Sequence, residues 1–276
     1  MPIEWLPSPE DPEAYPVALL FVHGACHGGW CWQENFVPYF RHHHFRAHAF
    51  SLRGHGARKD TESVRWCSTN DYLQDLDEAV QRSGSRVILV GHSMGARLAQ
   101  LYVARHPEAV KALILLAPPP PFGIVPSVAR LFWRMPLAML GNHLGLTWRY
   151  VSKREATARR AFFRPSIDAA RLRRYIDAMG DEAAWAYFQM FSPLLPWEWR
   201  AKCPTLVIGG RKDQIFSAWE LRCTKRTAKA TGAAIRFAPH DLMLDESWER
   251  PAKIMVWWLK RKVLKAEGSD DGLARR

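Results

Sequence analysis

The chain has little cysteine, no long apolar run and too few acids for its bases, and each shortage removes a class of proteins. Five cysteines among 276 residues (Cys26, Cys31, Cys67, Cys203 and Cys223) are odd in number and scattered, with no C-x-x-C pair. That spacing argues against a disulfide framework or a cysteine-rich zinc site and fits reduced thiols in the cytoplasm. No apolar stretch approaches the ~20 residues a membrane span needs, so stable membrane insertion is not expected. The opening segment, MPIEWLPSPEDPEAYP, is acidic and proline-rich and lacks the basic-then-apolar order of a secretory signal. No internal repeat is apparent. Neither an RNP-type run nor paired Cys and His accompanies the positive charge, so no nucleic-acid partner is expected.

Acids number 27 against 39 Lys and Arg, a formal net charge of +12. The surplus is local. Between Arg130 and Arg174 stand eleven Lys or Arg and only two acids, Glu155 and Asp168. A basic face of this kind can steer an anionic substrate or meet a membrane surface, or it can be a solvated surface that keeps the protein dispersed.

What is present is a βα rhythm. Short apolar runs at Val17–Val22, Phe45–Phe50, Arg86–Val90, Ala112–Leu116, Thr205–Gly209 and Ala233–Phe237 alternate with helix-length segments. Near-continuous apolar runs such as VILV and LILL mark parallel strands buried on both faces, so the reading is an α/β fold with a mainly parallel sheet of about six strands. Helices are predicted over Asn70–Ser83, with Asn70 or Asp71 as cap, over Met94–His106, and from Ser247 to about Lys265, with Ile254, Trp257 and Trp258 available for packing. The rhythm breaks after Ala117, where four prolines (Pro118–Pro121) can continue neither ladder nor helix. Helical stretches around Val128–Leu140, Thr157–Phe163 and Ser166–Met190 follow. The organisation is therefore a core of residues 1–117 and 203–265, a helical cap over 118–202, and a charged tail over 266–276 expected to be disordered. The inserted segment holds 14 of the 33 aromatic residues, enough for its own core, an apolar ligand pocket, or both.

The chemistry begins at Val87–Ala99, VILVGHSMGARLA. Gly91-His92-Ser93-Met94-Gly95 is a G-x-S-x-G motif between an apolar strand and a helix pattern. A sharp strand-to-helix turn exposes the Ser93 hydroxyl, and the helix N-terminus favours developing negative charge beside it. Serine needs a base, and the base needs an orienting group. After Ser93 the histidines are His106, at a helix end, His143, inside the insertion between glycines, and His240, on a loop before the last helix; His240 fits a base. The motif's order, serine then acid then histidine, selects Asp213, just past TLVIGG, with Asp241 and Asp245 as competitors. An acid adjacent to the base seldom reaches round to its far nitrogen. The oxyanion needs preorganised N–H donors: Met94, after the nucleophile, and Ala25, in the loop after the first core strand. Gly24 leaves room for substrate, and His23 either contacts substrate or braces the loop. Trp133 is a candidate substrate contact from the cap. The histidines of RHHHFRAH (Arg41–His48) cannot all face one ion from a strand or helix, and no metal site or cofactor is expected.

HGACHGGWCW (His23–Trp32), VILVGHSMG and PHDLML (Pro239–Leu244) resemble the plant methylesterase and hydroxynitrile lyase branch of the α/β-hydrolase superfamily, and related bacterial esterases. The likeness covers roughly Val17–Leu116 and Thr205–Leu259; FSLRGHG (Phe50–Gly56) is closer to the wider superfamily. The resemblance implies an α/β-hydrolase fold and a serine carboxylesterase acting on a small or medium, apolar or aromatic ester. The lyases of that branch carry threonine in place of the glycine of the HG pair and lysine after the catalytic histidine, where this chain has Gly24 and Asp241. Lactone, thioester or carbon–carbon hydrolysis on the same triad, or a slow-turnover ligand receptor, remain alternatives, because pocket shape decides among them. The small-molecule ester is the one partner expected, and oligomeric state is not legible.

Overall fold

The apolar runs form strands where the sequence places them, and their spacing closes one sheet. The computed structural model describes residues 3–60, 63–84, 86–198 and 201–264; the expected charged tail lies outside them. Strands β1 (Glu4–Leu6), β2 (Tyr15–Val22), β3 (Phe45–Ser51), β4 (Val87–His92), β5 (Val110–Leu116), β6 (Thr205–Gly210) and β7 (Thr231–Ile235) are ordered β1-β3-β2-β4-β5-β6-β7. All neighbours are parallel except β1, which runs antiparallel to β3 from Glu4↔Ser51 to Leu6↔Ala49. Helices α1 (Trp30–Gln33), α2 (Phe36–His42), α3 (Thr69–Arg82) and α4 (Met94–Arg105) flank the first strands. Between β5 and β6 come α5 (Val125–Arg134), α6 (Pro136–Gly145), α7 (Arg149–Ser152), α8 (Glu155–Phe162), α9 (Ala169–Ala178) and α10 (Ala184–Gln189), and α11 (Ala218–Thr227) and α12 (Glu249–Leu259) complete the core.

The central strands β4 and β5 are buried along almost their whole length. Each fully buried Val, Leu or Ile there contributes ~1.5–3 kcal/mol of transfer free energy, which is why the sheet centre needs no polar face.

Four local features differ from the sequence reading. The seventh strand, β1, is too short to carry a period; tertiary bonds hold it, with the Glu4 carboxylate accepting from Ser51 Oγ and from the Ala57 amide. Helix α3 is capped by Ser68 rather than Asn70 or Asp71. The Ser68 hydroxyl accepts from the Asp71 amide while the Asp71 carboxylate accepts from the Ser68 amide, a reciprocal capping box. The last strand lies two residues earlier than predicted, at an edge where only β6 pairs with it and burial is partial. In α12, Trp258 is buried but Trp257 faces solvent under the Arg261 guanidinium, 4.9 Å from its ring centre.

Candidate active site

The turn from β4 into α4 is tight enough that backbone forbids side chains on either side of Ser93. A Cβ on Gly91 would stand 2.4 Å from the Gly95 carbonyl oxygen, and one on Gly95 would stand 2.3 Å from that of His23. Ser93 itself adopts φ 51°, ψ −120°, a region that costs a non-glycine residue about 1–3 kcal/mol and is kept where the surroundings over-determine it. Here they do: its amide donates to the Leu116 carbonyl of β5 and its carbonyl accepts from the Ala96 amide. Because the atoms facing Gly95 are backbone and cannot rotate away, Gly95→Ala is expected to lower stability by the upper part of the ~1–3 kcal/mol typical of overpacking, read as a reduced urea midpoint. An unchanged midpoint would mean that the turn is looser than described.

His240 lies on the loop after β7 and Asp213 on the loop after β6. The His240 Nδ1–H donates to Asp213 Oδ2 over 2.8 Å, with both side chains buried. Two backbone amides, Ile215 and Phe216, donate to Asp213 Oδ1 at 2.8 and 2.9 Å, so this carboxylate is aimed before the imidazole meets it. Gly210 permits the approach, since a Cβ there would stand 2.1 Å from the Ala238 carbonyl oxygen. Burial disfavours the imidazolium, but the Asp213 charge and hydrogen bond, with Asp241 nearby, outweigh it and hold His240 above the ordinary histidine range.

Two further histidines lock this arrangement. His92, the variable residue of the G-x-S-x-G motif, is buried, and burial pushes it down to about 3, so it is neutral. Its Nε2–H donates to the His240 carbonyl at 3.1 Å, which ties the backbone at His240 to the Ser93 turn. Its Nδ1 faces Gly24, where a Cβ would come within 2.7 Å. Asp241 does not compete for His240. It turns to His27, whose Nε2 lies 2.9 Å from Asp241 Oδ2, while its amide donates to the Phe162 carbonyl of the cap. Burial would raise the Asp241 carboxyl, but the charge and hydrogen bond of His27 hold it below the usual carboxylate range. The His27 Nδ1–H donates in turn to the Ala25 carbonyl at 2.7 Å. Both His27 nitrogens therefore face acceptors, the Ala25 carbonyl on one side and the Asp241 carboxylate on the other.

The loop bearing Ala25 is gripped from the other side by the cap. The Gly180 amide donates to the Cys26 carbonyl at 2.8 Å, and the Cys26 amide donates to Glu182 Oε2 at 3.0 Å. Cys26 takes a left-handed conformation, φ 65°, between these two bonds. Glu182 is buried; its Oε1 accepts from the Tyr72 hydroxyl, and its Oε2 lies 3.3 Å from His55 Nε2. The amides of Ala25 and Met94 donate to no backbone or side-chain acceptor among the described residues, so both are free for a ligand.

Ser93, His240, Ala25 and Met94 line one cavity. Its walls are apolar and largely from the cap, including Ile124, Val128, Leu131, Trp148, Tyr187 and Met190, with Ile215 and Phe216 from the loop after β6. Three expected contacts are corrected. Trp133 points into solvent, 91% exposed, because the inward stripe of α5 is Ile124, Val128 and Leu131. His23 is absent from the lining: its Nε2 accepts from the Leu52 amide and its Nδ1–H donates to the Gly24 carbonyl, so it braces the loop. Gly24 also lies behind the wall, where its small size makes room for Ser93 and His92.

None of the eleven basic residues from Arg130 to Arg174 lines the cavity. Arg130 pairs with Glu220, Arg164 with Asp245 and Glu246, and Arg174 with Glu34. Asp241 is absent from the lining as well, so its bearing on lyase chemistry is that no lysine stands there. The histidines of residues 41–48 diverge, His48 accepting from the Ser8 amide and His44 facing Asp11. One group among the described residues, His92, His240 and Asp241, brings potential metal-ligating atoms within 4.8 Å. One nitrogen of each histidine is already engaged, that of His92 with the His240 carbonyl and that of His240 with Asp213.

Glu182, His27, His55 and His92 were not assigned roles from the sequence. His27 and His92 sit inside the motifs HGACHGGWCW and VILVGHSMG, whereas nothing local marks Glu182.

"Methylesterase 9" of Arabidopsis thaliana is 31% identical over 100 residues, 35% of this chain and 38% of that protein. The "Probable esterase PIR7A" of Oryza sativa is 36% identical over 104 residues, 36% and 38% of the two chains. The aligned part thus spans about two-fifths of the length of these curated relatives. Among solved structures, a thermophilic esterase from Thermogutta terrifontis superposes with a TM-score of 0.72 at 19% identity, over 95% of this chain and 94% of the other. The putative non-heme bromoperoxidase BpoC of Mycobacterium tuberculosis superposes at 0.69 and 21%, over 94% and 95%. Both share the fold. A model of the Alpha/beta hydrolase family matches residues 19–254, a span that runs from β2 through the Ser93 turn and the His240 loop into α12, and the chain belongs to that family.

Proposed function

We propose that this protein is a serine carboxylesterase that hydrolyses neutral, small to medium, apolar or aromatic esters through an acyl-enzyme. The observation that carries the reading is the His240–Asp213 hydrogen bond of 2.8 Å on the rim of an apolar cavity that also contains Ser93. Ser93 Oγ attacks the ester carbonyl carbon as its proton passes to His240 Nε2, the nitrogen left free by Asp213. The carbonyl oxygen becomes an oxyanion and accepts hydrogen bonds from the amides of Ala25 and Met94. When the carbon–oxygen bond to the leaving group breaks, His240 returns the proton to the alkoxide. Water then repeats the sequence on the acyl-serine, giving carboxylate and free Ser93. The chemistry requires no cofactor.

A wall without Lys or Arg favours a neutral substrate over an anionic one, and its aromatic side chains suit an aromatic or branched acyl group. Lactones, thioesters and carbon–carbon bonds could use the same triad, and the names of the plant relatives support the ester. Five unpaired cysteines suit a reducing compartment such as the cytoplasm. The test is a p-nitrophenyl alkylphosphonate. It should release one equivalent of p-nitrophenol, abolish turnover and leave its mass on the peptide bearing Ser93; label on any other residue, or turnover that survives stoichiometric labelling, would overturn the assignment.

A further inference from the structure

Helix α5 has two faces. Its inner stripe, Ile124, Val128 and Leu131, walls the cavity, while Val125, Ala129 and Trp133, spaced by four, face solvent. The next helix repeats the pattern: Leu137, Leu140 and Leu144 lie on one stripe of α6 and are exposed, Leu137 at 81% and Leu144 at 78%. The two stripes meet at Trp133 and Leu137, four residues apart across Met135. Monomeric proteins rarely leave so many large apolar side chains together in water without a partner for them.

The charge carried by this stretch of chain is of one sign, although Arg130 and Arg149 meet Glu220 and Asp181 from other segments. No acidic residue occurs between Glu108 and Glu155, while Arg130, Arg134, Arg149, Lys153 and Arg154 fall in that stretch. Arg134 and Arg154 are exposed, and α7, which carries Arg149, packs against α6 closely enough that a Cβ on Gly141 would touch the Tyr150 ring. Arg154 stands over that ring, 4.8 Å from its centre.

We propose that the outer face of α5 and α6 docks on an anionic lipid surface, its leucines and Trp133 entering the interface and its arginines meeting the headgroups. Exposed leucine and tryptophan beside basic residues, with no acid between them, are the composition of an interfacial helix. A second copy of this chain fits less well, because two such faces brought together would oppose cation to cation. No helix among the described residues is long and apolar enough to cross a membrane, so the contact is a surface one. The other side of α5 walls the cavity, which places the interface one helix thickness from the cavity that Ser93 lines.

The test is vesicle flotation of the full chain, which reads binding independently of turnover. Vesicles of phosphatidylcholine with roughly 30% phosphatidylglycerol should retain the protein at low salt at least about tenfold better than phosphatidylcholine alone, with the difference shrinking at high salt. Leu137→Glu/Leu144→Glu should lose that retention while keeping its circular dichroism and its turnover of a soluble ester, because both residues point away from the cavity. Arg134→Gln/Arg154→Gln, which spares the apolar face, should weaken it several-fold. Equal retention on both vesicle types, or retention unchanged in the leucine variant, overturns the proposal. So does a wild-type dimer that the leucine variant converts to monomer without either protein binding vesicles.

Discussion

Ser93→Ala is expected to lower kcat for p-nitrophenyl butyrate by roughly 10⁴- to 10⁶-fold, with KM changed little. The substitution removes one oxygen atom from a turn held by backbone, so the sheet, the cavity and both free amides stay in place. What is lost is the only covalent route to the acyl intermediate. Residual activity above water should come from the Ala25 and Met94 amides alone. A variant that keeps a tenth of wild-type turnover would place the nucleophile elsewhere and remove the esterase mechanism with it.

Asp213→Asn should cost about 10³- to 10⁴-fold in kcat, because an amide can present its NH₂ to His240 Nδ1 and leave the proton on the wrong nitrogen. The same variant carries a second readout. Burial opposes protonation of His240 and Asp213 favours it, the latter prevailing, so the wild-type base sits above the ordinary histidine range. A base must be neutral to accept the Ser93 proton, so kcat/KM should fall as pH drops through that raised value. Removing the Asp213 charge takes away the main favourable partner of the imidazolium, so the midpoint should move to lower pH. Asp241, which also favours the charged form, limits how far. A pH profile of kcat/KM on both proteins decides it: an unmoved midpoint would mean that His240 is not the titrating base.

The parts of this site that were legible in the sequence are those where backbone geometry restricts residue type. Gly91 and Gly95 flank Ser93 because a Cβ on either meets a carbonyl oxygen, and such restrictions write themselves into short motifs. His240 and Asp213 followed from order along the chain, since β6 and β7 deliver their loops to the same sheet edge. Glu182 was invisible for the opposite reason. It lies 156 positions from Cys26, its neighbours carry no pattern, and only the docking of the insertion brings the two together. Trp133 failed differently. Enrichment in aromatic residues says how much apolar surface a helix offers, whereas the phase of α5 against the sheet decides which stripe turns inward, and the sequence left that phase open. The same limit applies to β1, whose three residues are held by Glu4 and by pairing rather than by any period of their own.

The grip of the cap on Cys26 has an evolutionary consequence. An insertion between two strands is often a module that can be exchanged or trimmed while the core keeps its chemistry. Here both polar groups of the Cys26 backbone are satisfied by the insertion, through Gly180 and Glu182, and the neighbouring amide is the one we propose for the oxyanion. A lineage free to redraw the cavity walls would still have to conserve these two positions, and a grafted cap lacking them would fold on an intact core yet leave it nearly inert.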